Sequence, residues 1–189
     1  MKGFHQSENE IDEDALWVIK SKENSLHFEF LYKKYHNQIF KYIYHSCNAE
    51  ADAADLTTDV FCIALNNIHK YKSMGLPFSA YLYRVAVNEL NTYRKRNKMV
   101  LSVQLDTFQI QELHESEPVE EDSWLRCLTK SMQQLNEEDF NLLQFRFTEN
   151  KSFKEIGSIL NIPEPNAKTK IYRLFKKLRP LIQLCYAKI

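Results

Sequence analysis

The chain has 189 residues, 25 of them Lys or Arg and 25 Asp or Glu, with 44% hydrophobic and 26% charged residues. That composition suits a globular protein of one large domain or two small ones, not a strongly basic or acidic tail-like chain. No apolar run approaches the roughly 18 residues that span a bilayer, and the acidic opening "MKGFHQSENEIDEDALW" lacks the basic-then-apolar order of a secretory signal, so a cytoplasmic protein without direct membrane insertion is expected.

With only three Gly and five Pro, turn signals are scarce, which favours long helices over a many-stranded sheet. The expected fold is all-α: two small helical domains joined by an acidic linker, the second a helix-turn-helix domain. Residues 1–25 read as an N-terminal extension, polar and acidic up to Leu16–Trp17, with no element assigned.

Residues 26–98 form the first expected domain, of three or four helices. Phe28, Leu31, Tyr35, Ile39 and Ile43 recur at three- and four-residue steps, the mark of one apolar helix face. Val60, Phe61, Ala64, Leu65 and Ile68 repeat the pattern, and Pro77 stands where a third helix can begin, carrying Phe78, Leu82, Val85, Ala86 and Leu90. Two features exceed the needs of a core. In "DAADLTTDVF", Asp52, Asp55 and Asp59 form one carboxylate stripe beside Leu56; a solvated face accounts for it equally well. On the third helix Arg84, Asn88, Asn91 and Lys95 share a face, with Tyr81, Tyr83 and Tyr93 nearby, a pattern suited to stacking bases and neutralising phosphates. The same tyrosines also fit a core edge.

Charge then changes sign along the chain. "YRKRNK" closes the first block, and from Gln104 to Ser123 seven acids occur without a Lys or Arg. This marks residues 99–123 as a linker. In residues 124–189, "SFKEIGSIL" predicts a short helix capped by Ser152 with Phe153, Ile156 and Leu160 inward. "NIPEPN" is a tight break. "AKTKIYRLFKKLRPLI" follows with Ile171, Leu174 and Leu178 on one face and Lys170, Arg173 and Lys177 on another. Helix, turn and acid-free basic helix is the plan that lays its second helix in the major groove, where each neutralised phosphate releases counterions.

Catalytic signals are missing. The six histidines show no HExxH spacing, there is no phosphate-binding glycine loop or GxSxG elbow, and neither a metal nor a cofactor is expected. Cys47, Cys62, Cys127 and Cys185 form no CxxC pair and read as small buried hydrophobes.

Taken together, "ADLTTDVFCIALNNIHKY", "FSAYLYRVAVNELNTYRKR" and the C-terminal helix-turn-helix resemble regions 2 and 4 of a bacterial RNA polymerase sigma factor of the extracytoplasmic-function group. The family pattern Asp-Leu-x-Gln-acid-x-Phe falls on Asp55, Leu56, Thr58, Asp59 and Phe61, with Thr58 in place of Gln. With Asp52, these residues are implied to dock on the clamp helices of the polymerase beta-prime subunit. The pattern aromatic-Leu followed by Ala-x-Asn falls on Tyr81, Leu82, Ala86 and Asn88. The resemblance implies that the loop 69–78 and the face carrying Asn88, Asn91 and Thr92 capture a base flipped from the minus-10 element. Arg84, Arg94, Lys95 and Arg96 are implied to hold the strand backbone. Extrusion costs a few kcal/mol, which stacking on tyrosines at about 1–3 kcal/mol per base can offset.

For the minus-35 element, the family's recognition-helix opening falls on Asn166, Ala167, Lys168, Thr169 and Lys170. Asn166, Lys168, Thr169, Lys170, Arg173 and Lys177 are the implied contacts, while the supporting helices touch the beta flap. Gly157, where the family commonly has Ala, is expected to loosen the first helix slightly. The linker is implied to thread the polymerase cleft, its carboxylates imitating nucleic acid; a plain extended tether is the simpler reading. An anti-sigma factor is an implied partner, and promoter DNA and core RNA polymerase complete the set. A stand-alone helix-turn-helix regulator, usually a dimer on paired half-sites, is the competing reading; it leaves the carboxylate stripe and the amide-bearing helix unexplained. A module that sequesters another regulator would not need the acid-free helix.

Overall fold

The apolar spacings become inward faces. In the computed structural model, which describes residues 8–47, 49–97, 131–132 and 135–186, every described residue lies in a helix or a connecting turn, and no strand occurs among them. The acidic stretch 104–123 lies outside the described residues.

The first departure is α1 (Glu8–Glu23), in a segment where the sequence signals no element. The cause is an inverted pattern. Its fully buried positions are Asp14, Val18 and Ser21, whereas Leu16 and Ile19 are about half exposed at 48% and 56%. An apolar-stripe reading cannot find a helix whose inner face is largely polar. The helices α2 (Phe28–Cys47), α3 (Glu50–Asn66) and α4 (Phe78–Asn97) follow. Phe28, Leu31, Tyr35, Ile39 and Ile43 are all buried on α2, Val60, Phe61 and Ala64 on α3, and Phe78, Leu82, Val85, Ala86 and Leu90 on α4. As expected, α4 starts immediately after Pro77.

The second half begins with α5 (Glu137–Leu143), whose cap Asn136 accepts from the Asp139 N–H; a wider turn over Gln144–Thr148 extends it. Ser152 caps α6 (Phe153–Leu160) in a complete capping box with Glu155. Asn161 at φ 55° ends the helix in the left-handed region, and α7 (Glu164–Tyr186) follows, burying Ala167, Ile171, Leu174 and Leu178.

Gly157 corrects the expectation of a loosened helix. A Cβ there would lie 2.7 Å from the Ile162 carbonyl oxygen and 3.3 Å from the Glu164 nitrogen. The Ile162 N–H also bonds back to the Gly157 oxygen at 2.9 Å. Glycine is therefore what lets the turn fold tightly over α6. The cysteines need a similar correction: Cys47 is a buried free thiol, but Cys62 is exposed and Cys185 is disulfide-bonded.

The two halves share one core. Leu142, Phe145, Ile156, Ile159, Ala167 and Ile171 belong to the same buried cluster as the apolar faces of α2, α3 and α4. Phe145, fully buried, stacks on Tyr42 (centroids 5.1 Å) and meets Tyr83 edge-on (5.3 Å). A smaller cluster of Met132, Leu135, Phe140, Leu143, Leu174 and Leu178 belongs to the second half alone.

Candidate nucleic-acid interface

Helix α4 carries most of the expected strand-binding groups, and two of its cations are already engaged. Arg84 Nε donates to the Ser158 carbonyl at 2.8 Å, and its Nη2 reaches the same oxygen and the Ser158 hydroxyl (2.8 Å to Oγ). Arg94 is buried, pairing with Glu137 and donating to the Ser46 carbonyl at 3.2 Å. With its amide turned to satisfy both ends, the Asn91 nitrogen donates to the same Glu137 carboxylate. Ser158 and Glu137 both come from the second half, so acceptors from that half sit where strand phosphates were expected. Lys95, Arg96, Asn88 and Thr92 stay exposed, with the Thr92 hydroxyl donating back to the Asn88 carbonyl.

The tyrosines divide in the same way. Tyr83 is fully buried and donates to Glu149, which corrects the expectation that it is open for stacking. Tyr93 is half-buried and donates to Asp52 at 2.6 Å; that bond holds its phenol up at about 12. Tyr81 remains available. It lines a cleft of about 250 Å³ with Lys70, Tyr71, Lys72, Met74 and Arg84, closed on one side by Ser158. Three cations and two aromatic rings around a space just below the about 300 Å³ of a drug-sized pocket suit one planar ring next to a phosphate. Sequence reasoning pointed to the loop but not to Tyr71 or Lys70, because no spacing rule applies to irregular chain.

Beside this cleft the halves meet over a buried polar cluster. Lys151, 5% exposed, donates to Ser79 Oγ at 3.4 Å, lies 3.8 Å from Glu155 and sits over the Tyr83 ring. Burial pushes the Lys151 ammonium below its ordinary range and the Glu149 carboxyl above its own. Burial, with Glu149 adding to it, also holds the Tyr83 phenol far above its usual value.

On α3, Asp55, Thr58 and Asp59 are exposed. Leu56 and Phe61 are buried, and the Phe61 ring packs on Phe28 and Tyr32. They support the helix from beneath, because the apolar members of the motif are needed for the core, and only the polar members can meet a partner. On α7, Asn166, Lys168, Thr169, Arg173 and Lys177 are exposed and Lys170 half so. Lys170 pairs with Glu138 and Lys177 lies 3.7 Å from Asp139, both in the first turn of α5. Arg173, three residues after Lys170 and four before Lys177, shares that flank but stays exposed, whereas Lys168, Lys176 and Arg179 lie away from it.

A helix-turn-helix with an exposed basic second helix follows, in one chain, a bundle whose last helix borders a base-sized cleft. Family models for sigma-70 region 2 and sigma-70 region 4 match these two parts, at residues 31–99 and 125–178. The chain belongs to the sigma-70 family of RNA polymerase sigma factors. It is 29% identical over 160 residues to the ECF sigma factor BldN of Streptomyces coelicolor, a match covering 82% of this chain and 60% of that protein. It is 24% identical over 154 residues to the ECF sigma factor SigM of Bacillus subtilis, covering 80% and 92%. Among solved structures, the fold resembles CnrH in complex with the cytosolic domain of CnrY, with a TM-score of 0.60 and 15% identity over 90% of this chain and 97% of that one. It also resembles the sigma factor RpoE of Bartonella quintana in complex with the anti-sigma factor NepR, with a TM-score of 0.57 and 16% identity over 82% and 96%. In sigma-factor terms, region 2 ends with α4 and its cleft, and region 4 contributes α6 and α7. No described helix is long and apolar enough to cross a membrane.

Proposed function

We propose that this sigma factor is a non-enzymatic promoter-specificity subunit of the cytoplasm, with region 2 in residues 26–98 and region 4 in residues 124–189 joined by the acidic segment 99–123. It binds core RNA polymerase through Asp52, Asp55, Thr58 and Asp59 on the beta-prime clamp helices, with Leu56 and Phe61 holding that face from beneath, and through region 4 on the beta flap. The cleft beside Tyr81, with Asn88, Asn91 and Thr92, takes a base flipped from the minus-10 element, and Arg84, Arg94, Lys95 and Arg96 follow the strand. Asn166, Lys168, Thr169, Lys170, Arg173 and Lys177 meet the minus-35 duplex. The observation that carries this reading is the ordered pair of sigma-70 matches on one chain, one containing the loop and helix that line the cleft and the other ending on the exposed basic helix. That both solved relatives are complexes, one of them with a named anti-sigma factor, supports an anti-sigma partner here.

The arrangement sets a condition on DNA reading. Arg84 and Arg94 reach a strand only when region 4 leaves α4, so core polymerase must hold the two regions apart, and its contacts must offset the burial of Phe145 and its neighbours. The test is transcription in vitro: the chain is added to sigma-free core polymerase on fragmented DNA of the source genome, and RNA 5′ ends are mapped. Discrete starts sharing two upstream elements at fixed distances are the expected result. Binding to DNA without affinity for core would overturn the reading.

A further inference from the structure

The loop framing the cleft is held at both ends by α1, a helix that precedes the region 2 match at residues 31–99. At one end Lys22 Nζ donates to the Tyr71 carbonyl at 2.8 Å. At the other, Asp14 Oδ2 accepts from the backbone N–H of Phe78, the first residue of α4, at 2.8 Å. Pro77, just before α4, has no side-chain acceptor, so the helix takes its capping carboxylate from α1, where it also faces the positive end of the α4 dipole. Asp14 is itself fixed: it is 2% exposed, accepts from the Tyr35 hydroxyl at 2.5 Å and pairs with Lys34 at 2.8 Å.

Between these anchors residues 72–75 are exposed, and Gly75 turns the chain at φ 64°. Of the two rings that border the cleft, that of Tyr71 stands on an anchored residue, and that of Tyr81 lies on α4 three residues after the other anchor. Tyr71 meets Phe78 at 5.1 Å and Tyr81 at 5.0 Å. The spacing between loop and helix, and hence the width of the slot a base would enter, is therefore set by two contacts from α1. We infer that Asp14 and Lys22 are positioning residues for base capture, which they serve by holding Tyr71 and Phe78 at a fixed separation. This rests on the base-capture reading above.

The test uses the full chain assembled with core polymerase, as wild type, Asp14→Ala, Asp14→Asn, Lys22→Ala and Lys22→Arg. The probes are short labelled single strands carrying the minus-10 element from the mapped starts, intact or with an abasic site at each position in turn. The readout is the ratio of affinities for intact and abasic strands at the captured position. Losing a charge-assisted bond, buried at Asp14 and partly buried at Lys22, predicts that Asp14→Ala and Lys22→Ala lower this ratio by about tenfold. Affinities for the abasic strand and for a minus-35 duplex stay at the wild-type level. Asp14→Asn, which keeps an acceptor, and Lys22→Arg, which keeps a donor, recover most of the ratio. If Asp14→Ala does not fold, the Lys22 pair carries the test. A wild-type ratio near one overturns base capture and this inference with it. A high wild-type ratio that the alanine variants retain, or a loss equal for every probe, overturns the inference alone.

Discussion

Helices α4 and α7 are both long, basic and expected to meet DNA, yet they present their cations in opposite ways. On α4 the guanidiniums of Arg84 and Arg94 end on a carbonyl and a carboxylate of region 4. On α7, Lys168, Arg173, Lys176 and Arg179 are exposed. The difference follows from packing. α4 lies between the apolar faces of α2 and α3 on one side and α6 on the other, so Arg84 and Arg94 lie at a closed seam and need acceptors there, while Lys95 and Arg96 in its last turn stay exposed. α7 is fixed along one apolar stripe and by Lys170 and Lys177 against α5, and Lys168, Arg173, Lys176 and Arg179 are left to solvent. A helix that reads an unpaired strand needs a walled cleft, and such walls can close on themselves; a helix that reads a duplex groove needs only a convex face.

The seam can be broken from either side. The largest effect is expected at Gly157, where an alanine Cβ would strike the Ile162 carbonyl. Gly157→Ala should destabilise the chain by about 3 kcal/mol, since backbone cannot yield as a side chain can. It should also loosen Ser158 from Arg84, and a thermal melt, where each kcal/mol moves the midpoint by about 2–4 °C, reads the first effect. Next is Glu137→Ala, which leaves the Ser46 carbonyl as the remaining acceptor of the buried Arg94 among the described residues. About 1–2 kcal/mol of closure should be lost, discounted because Glu137 is 39% exposed. Small-angle scattering should report a larger radius of gyration, with duplex affinity unchanged. An unchanged radius would mean that aromatic packing around Phe145 alone holds the seam.

How far this contrast was legible from sequence differs by helix. The stripe Ile171, Leu174 and Leu178 and the Ser152 cap lie in local patterns, and the structure keeps both. The inner faces of α2, α3 and α4 were legible for the same reason. Helix α1 was not, because Asp14 and Ser21 occupy its inner face and contribute nothing to a hydrophobic period. The seam was also hidden: pairing Arg84 with Ser158 or Tyr83 with Glu149 joins residues more than sixty positions apart, and no helical spacing encodes such pairs. Gly157 was misread because its reason is a close approach across the turn, not helix propensity.

The contrast sharpens when the two helices are cut separately. Arg173→Ala removes an exposed cation of α7, and duplex binding should weaken by about 1–3 kcal/mol while the salt slope falls by about one. Arg84→Ala should leave binding of a minus-35 duplex unchanged, since Arg84 faces α6 and not the groove. A filter-binding titration across salt concentrations separates the two variants. Equal losses from both would place Arg84 on the duplex path and dissolve the distinction.

The smallest effect concerns pH and belongs to the seam alone. Burial raises the Glu149 carboxyl above its ordinary 4.5, so the closed chain binds a proton there more readily than the unfolded chain does. Below 4.5 the carboxyl is protonated in both states and contributes no penalty. As pH rises from 4.5 to the elevated value, the unfolded chain holds a hydrated carboxylate while the closed chain keeps its proton, and stability falls until the closed chain ionises too. Tyr83 and Lys151 facing it reduce that loss without cancelling it. Glu149→Gln keeps the shape and an acceptor for the Tyr83 hydroxyl but cannot ionise. Denaturant unfolding of both chains over a pH series should therefore show wild type losing ground to the variant as pH rises above 4.5. α7 offers no buried carboxylate of this kind among its described residues. Parallel pH profiles for wild type and Glu149→Gln would show that the seam is already hydrated in solution and that the cations of α4 are as open as those of α7.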